Sequence, residues 1–139
     1  MIASLEDILI AGRTVYGEAR GEPYEGKKAV VHVLMNRVNH PGGGSDHSLA
    51  SACLRWRQFS AWNEDDLNRR AMKIIGLHDP VFRACLRAVL EALDESDTTK
   101  GSRHYMTKDR LAQGWPKSWG PKREPVVEIG AHLFYNDVN

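Results

Sequence analysis

Residues 14–23 read Thr-Val-Tyr-Gly-Glu-Ala-Arg-Gly-Glu-Pro, so two glycines and a proline interrupt an otherwise helix-forming sequence. Glycine favours the end of a helix and proline its first turn, so this stretch predicts a junction between two helices. We call residues 14–23 the junction. Glu18 is predicted at the C-terminal end of the first helix, facing out of a turn. A carboxyl group placed there can be directed into a cleft, which makes the junction a candidate active site.

The residues on both sides of the junction have the apolar spacing of helices. Before it, Ser4 and Asp7 resemble a capping box, and the apolar residues up to Tyr16 predict a helix of about four turns that ends near Gly17. After it, Pro23 suits a first helical turn. The second helix is predicted to be the most buried one, because its apolar stripe consists of Ala29, Val30, Val33, Leu34 and Val38.

The rest of the chain predicts two more helices and a small sheet. Residues 65–75 form the third helix, and Asp79 caps a fourth that begins with a proline. Residues 104–106 are a short extended candidate, and residues 126–135 have the β-branched and aromatic composition of paired strands about Gly130. The prediction is an α+β fold, mainly helical, with a small antiparallel sheet near the C-terminus.

The composition predicts one soluble domain over residues 1–139, since 42% of the residues are hydrophobic and the chain is long enough for one core. A net charge of +1 predicts no general attraction to nucleic acid or to an anionic membrane. No apolar run reaches the roughly 18 residues of a membrane span, and residues 1–10 lack the basic start of a signal peptide. We therefore expect a monomer without stable membrane insertion that begins in a cytoplasm.

Cys53 and Cys85 are the only cysteines, and neither lies at metal-ligand spacing from another cysteine or a histidine. Cysteines of cytosolic proteins usually behave as small core residues, which favours two buried thiols over a disulfide. We expect neither a metal nor another cofactor.

Four blocks of the sequence resemble the spore cortex-lytic SleB family of cell-wall hydrolases. They are the junction with the helix that follows it to Asn36-Arg37, the stretch Gln-Phe-Ser-Ala-Trp at 58–62, His104-Tyr105 followed by a tryptophan, and residues 129–135. The resemblance implies a lysozyme-like fold and an enzyme that cleaves peptidoglycan between N-acetylmuramic acid and N-acetylglucosamine, as a lytic transglycosylase or as a hydrolase. We expect a phage endolysin that accumulates in the host cytoplasm and acts on periplasmic peptidoglycan once the membrane is permeabilised.

The resemblance implies that Glu18 is the catalytic acid. Glycosidic cleavage needs a proton on the leaving oxygen, and a carboxyl group keeps one near neutral pH when burial or apolar neighbours raise its pKa. A transglycosylase needs no second carboxylate, because the 6-hydroxyl of the muramic acid attacks. The alternative for Glu18 is a solvated carboxylate, which is unfavourable at a helix C-terminus. Glu22 is a candidate second carboxylate or substrate contact, or else it bonds the unpaired amides of the second helix.

Sugar binding is predicted for Gln58, Ser60 and Trp62, because saccharide sites combine amide and hydroxyl groups with an aromatic face. Tyr105, on a predicted strand beside His104, is expected to line the same cleft. Two other functions stay open. A zinc-dependent N-acetylmuramoyl-L-alanine amidase could take ligands from His104 and His132, and a wall-binding module would need no catalytic group.

Overall fold

The computed structural model describes residues 2–40, 47–55 and 68–138. Within these ranges, none of the helices is both long and apolar enough to cross a membrane. In chain order the elements are α1 Leu5–Ala19, α2 Tyr24–Asn39, α3 Leu49–Leu54, α4 Asn68–Ile74, α5 Pro80–Leu93, β1 His104–Thr107, α6 Lys108–Ala112, a 3-10 turn Lys117–Trp119, β2 Val127–Ile129 and β3 His132–Tyr135. Three short elements, α3, α6 and the 3-10 turn, were not predicted from the sequence.

The first helix begins as the sequence predicts. Ser4 accepts a hydrogen bond from the Asp7 amide at 3.1 Å, and the Asp7 carboxylate accepts one from the Ser4 amide at 2.9 Å. The other Asp7 oxygen accepts a hydrogen bond from the amide of Ala50 at 2.9 Å, at the start of α3. One carboxylate therefore satisfies amide groups at the N-termini of two helices, which would otherwise lack partners.

The end of α1 differs from the prediction, because the helix runs to Ala19 and not to Gly17. The residue after the helix, Arg20, keeps a right-handed φ of −62°, so the helix ends without the left-handed glycine that the sequence pattern favours. Glu18 lies in the last helical turn, at the C-terminal end of the helix as predicted. Pro23 is the N-cap of α2 and not a residue of its first turn.

The prediction that α2 is the most buried of the described helices is confirmed, because α2 packs on both sides. One side meets α1 and α5 in the main core, where Val30, Val31 and Leu34 are fully buried. The other side carries Ala29 and Val33 against the sheet. The cap of α5 is also as predicted, with Asp79 accepting hydrogen bonds from the amides of Val81 and Phe82. The sheet and the main core thus share α2 as their common support.

The predicted small antiparallel sheet is present, with the strand order β1-β3-β2. Tyr105 pairs with Phe134 and faces α2, whereas the neighbouring pair of His104 with Tyr135 faces the other way. That second face is covered by residues 111–119, which contribute Leu111, Trp115 and Trp119. The sheet is therefore a layer between α2 and this covering segment.

One row of α2 side chains fixes the loop that precedes β1. The row consists of Lys28, His32 and Asn36, which lie on one helix face because they are four residues apart. Lys28 pairs with Glu95 at 3.0 Å, His32 contacts Thr98 at 3.0 Å, and Asn36 donates to the carbonyl of Ser102 at 2.9 Å. The position of β1 relative to α2 is thus set by polar contacts as well as by apolar packing.

Both cysteines are free thiols in the interior, as predicted. Burial raises the pKa of Cys53 to about 12 and that of Cys85 to about 11. Neither thiol is therefore ionised or nucleophilic near neutral pH.

Candidate active site

Glu18 and Tyr105 come from the two layers of the fold. Glu18 is partly buried in the last turn of α1, and Tyr105 stands on β1. Burial raises the pKa of the Tyr105 phenol well above its usual value of 10, and the negative charge of Glu18 raises it further. The Tyr105 ring also packs against the core cluster that contains Val15 and Ala19 of α1. The structure therefore places Tyr105 against the cluster to which the last turn of α1, with Glu18, contributes.

The Tyr105 ring is held by aromatic neighbours. It meets the edge of the His132 ring at 4.8 Å between centroids and lies beside Phe134 at 5.8 Å. Because its pKa is so high, the phenol stays protonated at any physiological pH and can act as a neutral hydrogen-bond donor. A neutral donor near Glu18 can orient the carboxyl group without removing its proton.

Positive charge lies on the strand side of this pair. The Arg37 side chain donates its Nε hydrogen to the carbonyl of Arg103 at 2.8 Å, just before β1. Burial, and to a lesser extent the charges of Arg37 and Arg103, together lower the pKa of His104 to about 4. His104 is consequently neutral near pH 7, and the arginines provide the cationic character of this region.

Glu22 has a different partner from the one the sequence predicts. Its Oε1 accepts a hydrogen bond from the amide of Ala131 at 2.8 Å, in the turn between β2 and β3. The alternative that Glu22 bonds the first amides of α2 is not what the structure shows, since the hydrogen bond of its carboxylate goes to the turn. The reason is the direction of the side chain, which leaves the junction toward the sheet. Its role in substrate binding stays a prediction.

Gln58, Ser60 and Trp62 lie outside the described residues, so their predicted contacts with sugar stay predictions. Trp115 and Trp119 pack on Tyr135, with ring centroids 5.2 and 5.6 Å from the Tyr135 ring. Both tryptophans are partly buried. They support the far face of the sheet, away from Tyr105.

His104 and His132 do not converge on a common site. His104 shares a face of the sheet with Tyr135 and contacts Trp119, whereas His132 contacts Tyr105 on the other face. In the part of the chain that the structure describes, no group of three or more histidine, cysteine or acidic side chains could hold a metal ion. Two ligands on opposite faces of one sheet cannot bind one zinc ion.

The contact between Glu22 and Ala131 was not predicted from the sequence, although the sequence carried a signal for it. Gly130 has a positive φ of 60°, and a Cβ atom there would lie 2.5 Å from Glu22 Oε1. A glycine in a hairpin turn is usually explained by the turn alone. Here it also permits the close approach of a carboxylate that is distant in the sequence.

Comparison with known proteins identifies similar chains. Residues 21–135 match the model of the Cell Wall Hydrolase family. The chain is 34% identical over 130 residues to the spore cortex-lytic enzyme of Halalkalibacterium halodurans and 30% identical over 131 residues to that of Bacillus subtilis. Each match covers 94% of this chain but only 34% and 38% of the relative, so the chain spans little more than a third of these proteins.

Two solved structures resemble the fold over nearly its whole length. The catalytic domain of the Bacillus cereus SleB protein matches with a TM-score of 0.74 and 27% identity, covering 96% of this chain and 91% of that domain. The catalytic domain of the germination-specific lytic transglycosylase SleB from Bacillus anthracis matches with a TM-score of 0.69 and 30% identity, covering 94% of both chains. The lysozyme-like architecture expected from the sequence is therefore confirmed.

Proposed function

Since the chain belongs to the Cell Wall Hydrolase family, we propose that it cleaves the glycan strands of peptidoglycan between N-acetylmuramic acid and N-acetylglucosamine, as a lytic transglycosylase. The observation that carries the proposal is the partly buried Glu18 in the last turn of α1, next to Ala19 of the core cluster against which Tyr105 packs. The similar fold of the B. anthracis protein, which is a lytic transglycosylase, supports the same reaction.

Glu18 acts first as an acid and then as a base. The protonated carboxyl group gives its proton to the glycosidic oxygen, and the bond from the muramic acid C1 to that oxygen breaks. The resulting carboxylate then accepts the proton of the muramic acid's 6-hydroxyl, whose oxygen forms a new bond to C1. The product is a 1,6-anhydro sugar and no water is consumed. Glu18 ends the cycle protonated, ready for another turn.

One carboxylate suffices for this reaction, and the geometry of the junction fits that requirement. Glu22, the other carboxylate of the junction, already accepts the Ala131 amide hydrogen, and its side chain is only 16% exposed. A retaining hydrolase would place a second carboxylate about 5 Å from the first, as the nucleophile. The engagement of Glu22 in the sheet favours the intramolecular attack over that alternative.

Mass spectrometry of the products tests the reaction. Purified peptidoglycan should yield fragments with 1,6-anhydro ends, whereas reducing ends would indicate a hydrolase. Glu18→Gln keeps the shape of the side chain and removes its titrating proton, so the rate should fall at least about 10²-fold while the melting temperature stays nearly unchanged. A Glu18→Gln variant with more than about a tenth of the original rate would rule out Glu18 as the acid.

The two alternatives make different predictions. An amidase would release peptides and leave the glycan strand intact, and the opposite orientations of His104 and His132 argue against it. A wall-binding module would sediment with peptidoglycan and release no fragments. In that case Glu18→Gln would change neither binding nor lysis.

The setting in which the protein works is a separate proposal. We propose that it is a phage endolysin, present in the host cytoplasm before release and acting on periplasmic peptidoglycan as a monomer, with neither nucleic acid nor a bilayer as its partner. The net charge of +1 supports the absence of a strong attraction to either polyanion. Fractionation of producing cells and light scattering of the purified protein test location and oligomeric state.

A further inference from the structure

We infer that Glu22 is a positioning residue, which ties the junction to the β2–β3 turn and so fixes how Glu18 stands relative to Tyr105. The inference rests on the proposed function, because it concerns the orientation of the acid in that reaction. Glu22 itself does not reach the substrate in this account. Its effect on the reaction passes through the backbone of the junction.

The first observation is the fit of the Glu22 carboxylate against the turn. Oε1 accepts the Ala131 amide hydrogen at 2.8 Å, and the Cβ of any residue replacing Gly130 would lie 2.5 Å from the same oxygen. Pro23 Cδ would be 3.0 Å from that Cβ. The turn therefore approaches the junction as closely as a glycine allows, and the contact has little freedom to shift.

The second observation is that the backbone of Glu22 is held as well. The ammonium group of Lys27, a residue only 7% exposed, donates a hydrogen bond to the Glu22 carbonyl. The Glu22 amide donates to the carbonyl of Ala19 at 3.0 Å, in the last turn of α1. Glu22 is thus fixed to α1, to α2 and to the sheet at once, and Glu18 lies one helical turn away.

The third observation connects this contact to Tyr105. His132 follows Ala131, is 3% exposed, and places Nδ1 3.6 Å from Glu22 Oε1. No hydrogen-bond partner of this nitrogen is found among the residues described, so the ring is placed by packing. That packing is the edge contact with Tyr105 at 4.8 Å. A displacement of the turn would consequently move the Tyr105 ring relative to Glu18.

A mutation series with separate measurement of kcat and KM on soluble peptidoglycan glycan tests the inference. Glu22→Ala should lower kcat roughly 10²-fold, the loss expected when a reacting group is misplaced by about 1 Å, and change KM less than about twofold. Glu22→Gln keeps an acceptor oxygen for the Ala131 amide and should restore kcat to within about fivefold of the original. Gly130→Ala keeps the Glu22 side chain, but the added methyl group displaces its carboxylate. This variant should lower kcat as well.

Asp79→Ala is the matched control, because it removes the N-cap of α5 without touching the contact between Glu22 and Ala131, and it should lower stability with unchanged kcat. If Glu22→Ala does not fold, the kcat and KM values of Glu22→Gln and Gly130→Ala test the inference. A raised KM at constant kcat would overturn the inference and indicate a substrate contact. Equal inactivity of Glu22→Gln and Glu22→Ala would overturn it as well, since the charge would then take part in the chemistry.

The proposed function and the inference can fail separately. An active Glu18→Gln variant would overturn the proposed function and this inference with it. An inactive Glu18→Gln variant beside a folded, fully active Glu22→Ala variant would overturn the inference alone.

Discussion

The Nδ1 nitrogen of His32 accepts a hydrogen bond from the backbone amide of Thr98 at 3.3 Å, although the two residues are 66 positions apart. Because Nδ1 accepts, the ring proton is assigned to Nε2, which faces Glu95 Oε1 at 3.4 Å. The neutral ring therefore joins α2 to the loop before β1. Protonation of Nδ1 would remove the acceptor and place a charge in the interior.

We predict that the protein loses stability as the pH falls from about 6.5 toward 4. Burial lowers the pKa of His32, His104 and His132, and for His32 this outweighs the opposing effect of Asp97 and Glu95. Since the unfolded chain then binds protons more readily than the folded one, stability is full above the unfolded pKa and falls below it. Urea unfolding at about pH 7 and about pH 4.5 should differ clearly.

Two variants show whether buried histidines cause this pH dependence. His32→Gln cannot titrate and should reduce the slope of stability against pH. His78 is exposed, so His78→Gln should leave the slope as it is. Equal slopes in all three proteins would contradict the assignment of the effect to the interior.

We predict that Tyr105→Phe slows the reaction about 10-fold to 100-fold, with little change in melting temperature. The ring contacts with His132 and Phe134 remain, and only the donor near Glu18 is lost. A hydrogen bond to a charged group contributes about 1.5–3 kcal/mol, which corresponds to this range of rates. Tyr135→Phe, on the other face of the sheet, is the control and should keep the full rate. Equal rates for both variants would remove Tyr105 from the site.

We predict that Asn36→Ala destabilises the fold by about 1–3 kcal/mol, because the carbonyl of the buried residue Ser102 loses a donor. The Asn36 amide donates to Asp97 and to the Ser102 carbonyl, both at 2.9 Å. Asn136→Ala removes an exposed donor to the Lys100 carbonyl and should cost less. Denaturant unfolding measures the loss of stability in both variants. Equal losses would mean that the contacts of Asn36 with the loop stabilise the fold no more than the exposed contact of Asn136 does.

We predict that excess chelator and reductant leave lysis of permeabilised Gram-negative cells nearly unchanged. An acid at Glu18 uses neither a metal nor a thiol, whereas zinc chemistry requires several deprotonated ligands around one ion. Turbidity of the cell suspension measures the rate. Loss of lysis in chelator and its recovery with added zinc would overturn the glycan-cleaving mechanism.

Local signals were sufficient to predict the main elements. Capping by Ser4 and Asp79 and the apolar stripe of α2 each depend on residues within a few positions, and each was predicted correctly. The exact end of α1 was not, because tertiary packing outweighed the helix-breaking tendency of Gly17. Short elements such as α3 and α6 have too few residues to show a period.

The partners within the site were harder to predict, since they are defined by contacts between distant parts of the chain. That Tyr105 lines the same cleft as Glu18 was predicted from its place on a strand beside His104, and it stays a prediction. That His104 and His132 face opposite ways follows only from the strand register, in which a shift of one residue would reverse the faces. The partner of Glu22 lies 109 positions away, and no local pattern specified it.

This separation has a consequence for the order in which the protein becomes active during its synthesis. Glu22 precedes Ala131 by 109 positions in the sequence. Contacts of such high sequence separation form late, because the intervening loop must close first. A nascent chain therefore contains Glu18 and Glu22 well before it contains Ala131, and the contact of Glu22 with the β2–β3 turn cannot form until translation has passed that turn. The orientation that we infer for Glu18 is thereby delayed until the sheet has been synthesised.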